Sequence, residues 1–126
     1  MRTFILILVL AATALIPAAA SAKGGNDRDK RVTGRCTGHS TAKLKVKPDD
    51  GRLEAEFEVD QNRNGVRWKV TLRRNGAVAV RTSARTKAPS GSFSVERRLA
   101  DGAGSDRISA RATSPSGEVC TAALTV

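Results

Sequence analysis

Apolar side chains in this chain recur at every second position, a period that admits a half-buried β-strand and excludes an amphipathic helix. Ala42, Leu44 and Val46 alternate with Lys43, Lys45 and Lys47. Pro48-Asp49-Asp50-Gly51 then turns the chain into Leu53, Ala55, Phe57 and Val59, which alternate with Glu54, Glu56 and Glu58. The pattern predicts a hairpin with a four-residue loop. Setting Val46 opposite Leu53 puts Lys45 opposite Glu54 and Lys43 opposite Glu56, so the apolar and charge registers select one alignment.

The same period continues. Val66, Trp68, Val70 and Leu72 share one face, with Arg67, Lys69, Thr71 and Arg73 on the other. Asn75-Gly76 marks the next hairpin, and a three-residue Arg74-Asn75-Gly76 loop with a glycine bulge pairs Leu72 with Val78 and Val70 with Val80. Later strands are expected at Phe93 and Val95, at Ile108, Ala110 and Ala112, and at Cys120, Ala122, Leu124 and Val126. Arg97 breaks the pattern by sharing parity with Phe93 and Val95, so the strand either ends before it or bulges to turn it outward. With a first strand around Val32 to Cys36, seven or eight short strands predict an all-β, antiparallel two-sheet sandwich of immunoglobulin-like architecture, with a closed barrel as the alternative. Trp68 on a central strand suits that architecture. Cys36 and Cys120 do not: they lie on the first and last strands and cannot bracket the tryptophan as in antibody domains.

Ahead of the strands, Arg2 precedes an apolar run from Phe4 to Ile16, then Pro17 and the small residues Ala18 to Ala22. This is the layout of a secretory signal peptide over residues 1–22, cleaved after Ala20-Ser21-Ala22, with Ala18-Ala19-Ala20 as a second site. The run is shorter than the roughly 20 residues a transmembrane helix needs. Residues 23–30, rich in Gly, Asp and Lys, are expected to form a disordered leader, and 31–126 a single domain. The expected location is secreted, extracellular. There the only two cysteines, Cys36 and Cys120, should form a disulfide worth about 4.5 kcal/mol in the chain-entropy model.

Asp60-Gln61-Asn62-Arg63-Asn64-Gly65-Val66-Arg67-Trp68, together with Gly117-Glu118-Val119-Cys120, resembles a set of small secreted actinobacterial proteins of unknown function. The likeness covers most of the mature chain. It implies export and one compact domain, and names no ligand.

Motifs for chemistry are sparse. Asp60-x-Asn62-x-Asn64-Gly65 copies the first half of a calcium loop, but Thr71 stands where a bidentate glutamate belongs and Arg63 adds positive charge, so a plain Asn-Gly hairpin turn is the better reading. His39 is the only histidine, Ser40 beside it lacks a nucleophile-elbow context, and neither a catalytic set nor a zinc site is assembled from such residues. The expectation is no enzyme, no metal and no cofactor. Trp68 shares parity with core residues, and without tyrosine there is no aromatic array for sugars or single-stranded nucleic acid.

Charge is the unusual feature. The formal net charge is +10, and the excess falls between residues 61 and 113. By parity Arg67, Lys69 and Arg73 share an outer face, while Arg81, Arg85, Arg98, Arg107 and Arg111 point outward from strands expected to pair nearby. If these strands share a sheet, they form a cationic plate for an anionic polymer or an acidic protein partner. Anionic cell-wall polymers, acidic polysaccharide and lipid headgroups fit an exported domain, and no specific nucleic acid is implied. The alternative is a structural or protein-interaction domain whose charge serves solubility alone.

Overall fold

The computed structural model describes residues 29–126, so the expected signal peptide and most of the leader lie outside the described residues. Nine strands follow in order: β1 (Lys30–Thr33), β2 (Arg35–Cys36), β3 (Thr41–Asp49), β4 (Arg52–Asp60), β5 (Arg67–Arg74), β6 (Ala77–Arg85), β7 (Ser92–Ala100), β8 (Arg107–Thr113) and β9 (Val119–Thr125). They form a four-stranded sheet in the order β1-β3-β4-β7 and a five-stranded sheet in the order β2-β9-β8-β5-β6, with every pairing antiparallel. Two packed sheets bear out the all-β sandwich. The two inner faces meet in one core built on Trp68, Phe57, Leu44, Leu53, Leu72 and Ile108. Among the described residues no helix is long and apolar enough to cross a membrane.

Several local expectations are corrected. The single first strand is two strands serving different sheets, with Gly34 between them. A Cβ at Gly34 would stand 2.6 Å from the Thr121 carbonyl oxygen and 3.0 Å from the Ala42 Cβ, so only glycine lets the chain cross there. β1 also opens at Lys30, one residue ahead of the expected domain start at Arg31.

In the β3–β4 hairpin the pairs are Val46 with Ala55, Lys45 with Glu56 and Lys43 with Glu58, a shift of two residues from the expected register. The loop is the two residues Asp50 and Gly51, both at positive φ (48° and 73°), as a tight hairpin turn demands. A two-residue shift keeps every apolar residue inside and every lysine opposite a glutamate, so the two sequence signals could not detect it. Pro48 is therefore in the strand. It lies beyond Lys30–Val46, the last pair with β1, so on that side its missing N–H leaves no ladder bond unmade.

The β5–β6 connection is likewise the two-residue turn Asn75-Gly76, at φ 49° and 83°, with Arg74 opposite Ala77 and Arg73 opposite Val78. The bulge falls one step later, where Leu72 pairs with Val80 and Ala79 is the extra residue. That displacement returns Val80 to the core side and leaves Val78 on the outside, 40% exposed. Arg97 neither ends β7 nor sits in a bulge: it pairs in register with buried Ala55, and Val95 and Leu99 flank it in register with Phe57 and Leu53. Because β7 is an edge strand, the Arg97 side chain stays in solvent and donates to the Glu96 carbonyl at 2.8 Å. An inward-facing charge on an edge strand also discourages pairing with another chain.

Residues 61–66 are not a hairpin turn. They carry the chain from β4 in one sheet to β5 in the other. Asp60 Oδ1 accepts from the Asn62 N–H at 3.0 Å, and Asn62 and Gly65 take positive φ, so the Asx geometry expected of a turn serves a crossover instead. Thr86 holds the far end by accepting from Val66 N–H through Oγ1 and from Gly65 N–H through its carbonyl. Trp68 is fully buried, stands 6.0 Å from Phe93 between ring centroids, and donates its indole N–H to Gln61 Oε1 at 3.0 Å.

Cys36 and Cys120 form the expected disulfide, joining directly paired residues of β2 and β9 within one sheet. A disulfide indicates an oxidising compartment outside the cytosol. The Gly34 geometry leads to a first expected outcome: Gly34→Val costs about 1–3 kcal/mol in urea denaturation followed by Trp68 fluorescence, as overpacking does. An unchanged midpoint would show that the crossover tolerates a side chain.

Candidate functional site

Inward burial of Trp68, Val70 and Leu72 on β5, of Ile108, Ala110 and Ala112 on β8, and of Cys120 and Ala122 on β9 fixes what their neighbours do. Every odd-numbered side chain of these strands faces away from the core. The cross-strand partners then assemble the outer face of the five-stranded sheet row by row. Arg67 pairs with Arg85, and Lys69 with Ser83 and Thr113. Arg81, Thr71, Arg111, Thr121 and Arg35 form one row across all five strands, alternating guanidinium and hydroxyl. Arg73 pairs with Ser109, and Arg107 with Thr125.

Seven of the eight plate residues expected from sequence therefore share this face: Arg67, Lys69, Arg73, Arg81, Arg85, Arg107 and Arg111. Arg98 does not. It lies on β7 of the other sheet, where its Nη2 is 2.8 Å from the Asp49 carboxylate. Outward parity alone cannot say which sheet a strand joins, and β7 pairs with β4. Arg35 joins the face and was missed. The signal was present, because Arg35 precedes Cys36 and must point away from a disulfide partner that faces inward.

All eight cations on this face, Arg35 included, are exposed, and among the described residues none lies within ion-pair distance of a carboxylate. Their partners are neutral. Arg67 donates through Nε and Nη2 to Ser83 Oγ at 3.1 and 3.0 Å, Arg85 to the Gly65 carbonyl at 3.3 Å, and Arg73 to the Gly76 carbonyl at 3.2 Å. These bonds orient guanidinium planes without neutralising them.

The outer face of the four-stranded sheet is built differently. Lys43–Glu58 at 3.8 Å, Lys47–Glu54 at 3.4 Å and Arg98–Asp49 pair across it. Beside them Glu96 is held above the ordinary carboxyl pKa by its hydrogen bond with Glu54 and by that neighbour's charge. Glu54 is held below it by the same bond, with Lys47 and Arg98 adding to the effect.

Two further clusters lie at the ends of the sandwich. A polar cleft of about 590 Å³ brings together Gln61, Asn62 and Arg63 from the crossover with Gly117 and Glu118 before β9, so the two segments that carry the sequence resemblance are neighbours in space. His39 lines it, exposed. Ser40 Oγ donates to Glu118 Oε1 and the Ser40 N–H to Oε2 at 3.3 Å, so Glu118 ties the entry of β3 to β9. Among the described residues no three His, Cys, Asp or Glu side chains are placed to hold a metal ion together.

The other cluster is a clamp around Asp106, which is buried. Arg74 Nη2 is 2.8 Å from its carboxylate, Asn75 Nδ2 donates at 3.0 Å and the Gly102 N–H at 3.1 Å. Asn75 Oδ1 accepts from the Arg107 N–H at 2.8 Å, which seats the β5–β6 turn on the start of β8. Asp106 shares the inward parity of Ile108, Ala110 and Ala112, and its backbone exchanges two hydrogen bonds with Val126 just ahead of β8, but a buried carboxylate there was not expected.

Compared with known proteins, the chain matches no family model, no curated protein and no solved structure.

Burial acts to raise the Asp106 pKa, but the hydrogen bonds from Asn75 and Gly102 and the charge of Arg74 outweigh it, so the carboxyl titrates below its ordinary value. A lowered folded-state pKa contributes stability above the unfolded value that is lost as pH falls through the folded one. The melting temperature is therefore expected to fall as pH drops through and below the ordinary carboxyl range. Asp106→Asn should be less stable at neutral pH and lose less on acidification. Parallel acid profiles of the two proteins would remove Asp106 as a source of the effect.

Proposed function

We propose that the domain is an exported, non-enzymatic binding module that holds polyanions outside the cell on the outer face of its five-stranded sheet. The observation that carries this reading is segregation of charge. One sheet face gathers eight exposed cations and no carboxylate, while the other face pairs its lysines with glutamates. A surface built for solubility intersperses both signs, whereas a single-sign field across one sheet face is the arrangement that attracts a partner of opposite charge. Seven of the eight are arginines, whose fork of donors suits bidentate recognition of phosphate or carboxylate. Anionic wall polymers, acidic polysaccharide, lipid headgroups and acidic proteins are the partners such a face can meet outside the cell.

The reading extends the sequence resemblance: the chain belongs, on this proposal, with small secreted actinobacterial proteins of immunoglobulin-like sandwich architecture. Export rests on the N-terminal pattern and is supported by the disulfide.

Exposed charges are screened beyond about 8 Å at physiological ionic strength, so binding should be strongly salt-dependent. Replacing Arg67, Lys69, Arg73, Arg81 and Arg111 by glutamine is expected to abolish retention on phosphocellulose or an isolated wall fraction. Replacing Lys43, Lys45 and Lys47 should only weaken it, and both variants should stay folded, since all these side chains point outward. Equal retention of the two variants, or retention unchanged in molar salt, would make the charge a solubility device.

A further inference from the structure

The cationic face is not flat. β9 carries short outward side chains, Thr121 and Ala123 among them, and runs between Arg35 on β2 and the arginines of β8. A trough of about 590 Å³ results, walled on one side by the Val32–Arg35 crossover and on the other by Arg111, Arg73 and Arg107, with Thr121 and Ala123 along its length. In one row Arg35 and Arg111 flank Thr121, their backbones roughly 10 Å apart across two strand spacings. Guanidinium groups thus approach from both walls while a hydroxyl rises between them. Successive same-face rungs along β9 are about 6.8 Å apart, and each meets an arginine: Arg111 beside Thr121, Arg73 through Ser109 beside Ala123, and Arg107 beside Thr125.

We propose that this trough is the binding subsite of the plate, and that its ligand is a linear chain of tetrahedral oxyanions, phosphate or sulfate esters, lying along β9. The proposal rests on the polyanion reading above and adds where the chain lies and what charge it bears. Donors converge from two walls and a floor. A tetrahedral oxyanion offers acceptor oxygens in all three directions at once, whereas a planar carboxylate offers two oxygens in one plane. A recessed track with one arginine per rung suits a linear chain; a planar lipid surface would touch only the outermost side chains.

Titration of the full exported domain with inorganic polyphosphate, dextran sulfate, polyglutamate of matched charge and phosphatidylglycerol vesicles tests this. Polyphosphate or dextran sulfate is expected to bind at least about tenfold more tightly than polyglutamate or vesicles, and the stronger of those two identifies the oxyanion as phosphate or sulfate. Arg35→Gln with Arg111→Gln should weaken that binding about tenfold or more, while Arg67→Gln with Arg85→Gln, an equal loss of charge on the same face outside the trough, should weaken it no more than about threefold. Thr121→Val, which changes no charge, should weaken polyphosphate binding and leave polyglutamate binding unchanged. Equal losses for the two charge variants, with salt-dependent binding retained by the parent, would overturn the trough and leave the plate standing. Equal affinity for polyglutamate would overturn the tetrahedral preference, and preference for vesicles would overturn the linear chain. Binding of none of the four probes by the parent would overturn the polyanion reading itself.

Discussion

Everything on the surface of this domain depends on the alternation that buries Trp68, Val70 and Leu72. Each is at most 1% exposed, and Arg67, Lys69 and Arg73 lie one position away. A slip of one residue in β5 would exchange the two sets, sending three unpaired cations into the core. Removing an uncompensated charge from water costs several kcal/mol, so the alternative register is closed by a margin comparable to the whole stability of a domain this size. Core and plate are two faces of one specification. A substitution that preserves the parity of β5 preserves the plate, whatever it does to affinity.

That dependence also explains what the sequence could reveal. Parity is local, so the inward and outward sets of β3, β4, β5, β8 and β9 were legible residue by residue, as were the disulfide and the burial of Trp68. Register and sheet membership are not local. The β3–β4 hairpin moved by two residues because lysines oppose glutamates equally well in either alignment, and the choice fell to Asp50-Gly51, which accept the positive φ of a two-residue turn. Arg98 carries the right parity and belongs to the wrong sheet. Arg97 defied the pattern because an edge strand lets a long side chain reach water from an inward position. Asp106 escaped notice because its burial depends on Arg74, Asn75 and Gly102, which only the closed fold brings to one place.

Charge in the chain as a whole is therefore a poor guide to where charge acts. The four basic and five acidic residues between 43 and 58 nearly cancel across one hairpin, whereas the later strands bring in arginines, most of them opposite hydroxyls. Threonine and serine beside arginine matter in two ways. They space the guanidinium groups so that neighbouring cations in the Arg81 to Arg35 row sit two strands apart, which limits repulsion. They also orient some guanidinium groups, as Ser83 does for Arg67, without lowering the field by adding a negative charge.

Strand β2 is the point at which covalent structure and this field meet. It is two residues long, and its pairing with β9 consists of Arg35 with Thr121 and Cys36 with Cys120. Two residues of ladder cannot hold a strand at a sheet edge against fraying, since terminal segments open at little cost in free energy. The disulfide supplies what the ladder lacks, because Cys36 is bonded to a cysteine buried in the core cluster, while Arg35, the residue before it, faces the other way. Gly34 admits the crossover, the disulfide fixes its far side, and Arg35 is carried to the edge of the cationic face by both. Cross-linking β2 to the last strand thus pins the edge of the five-stranded sheet and, through one neighbouring residue, sets the wall of its trough.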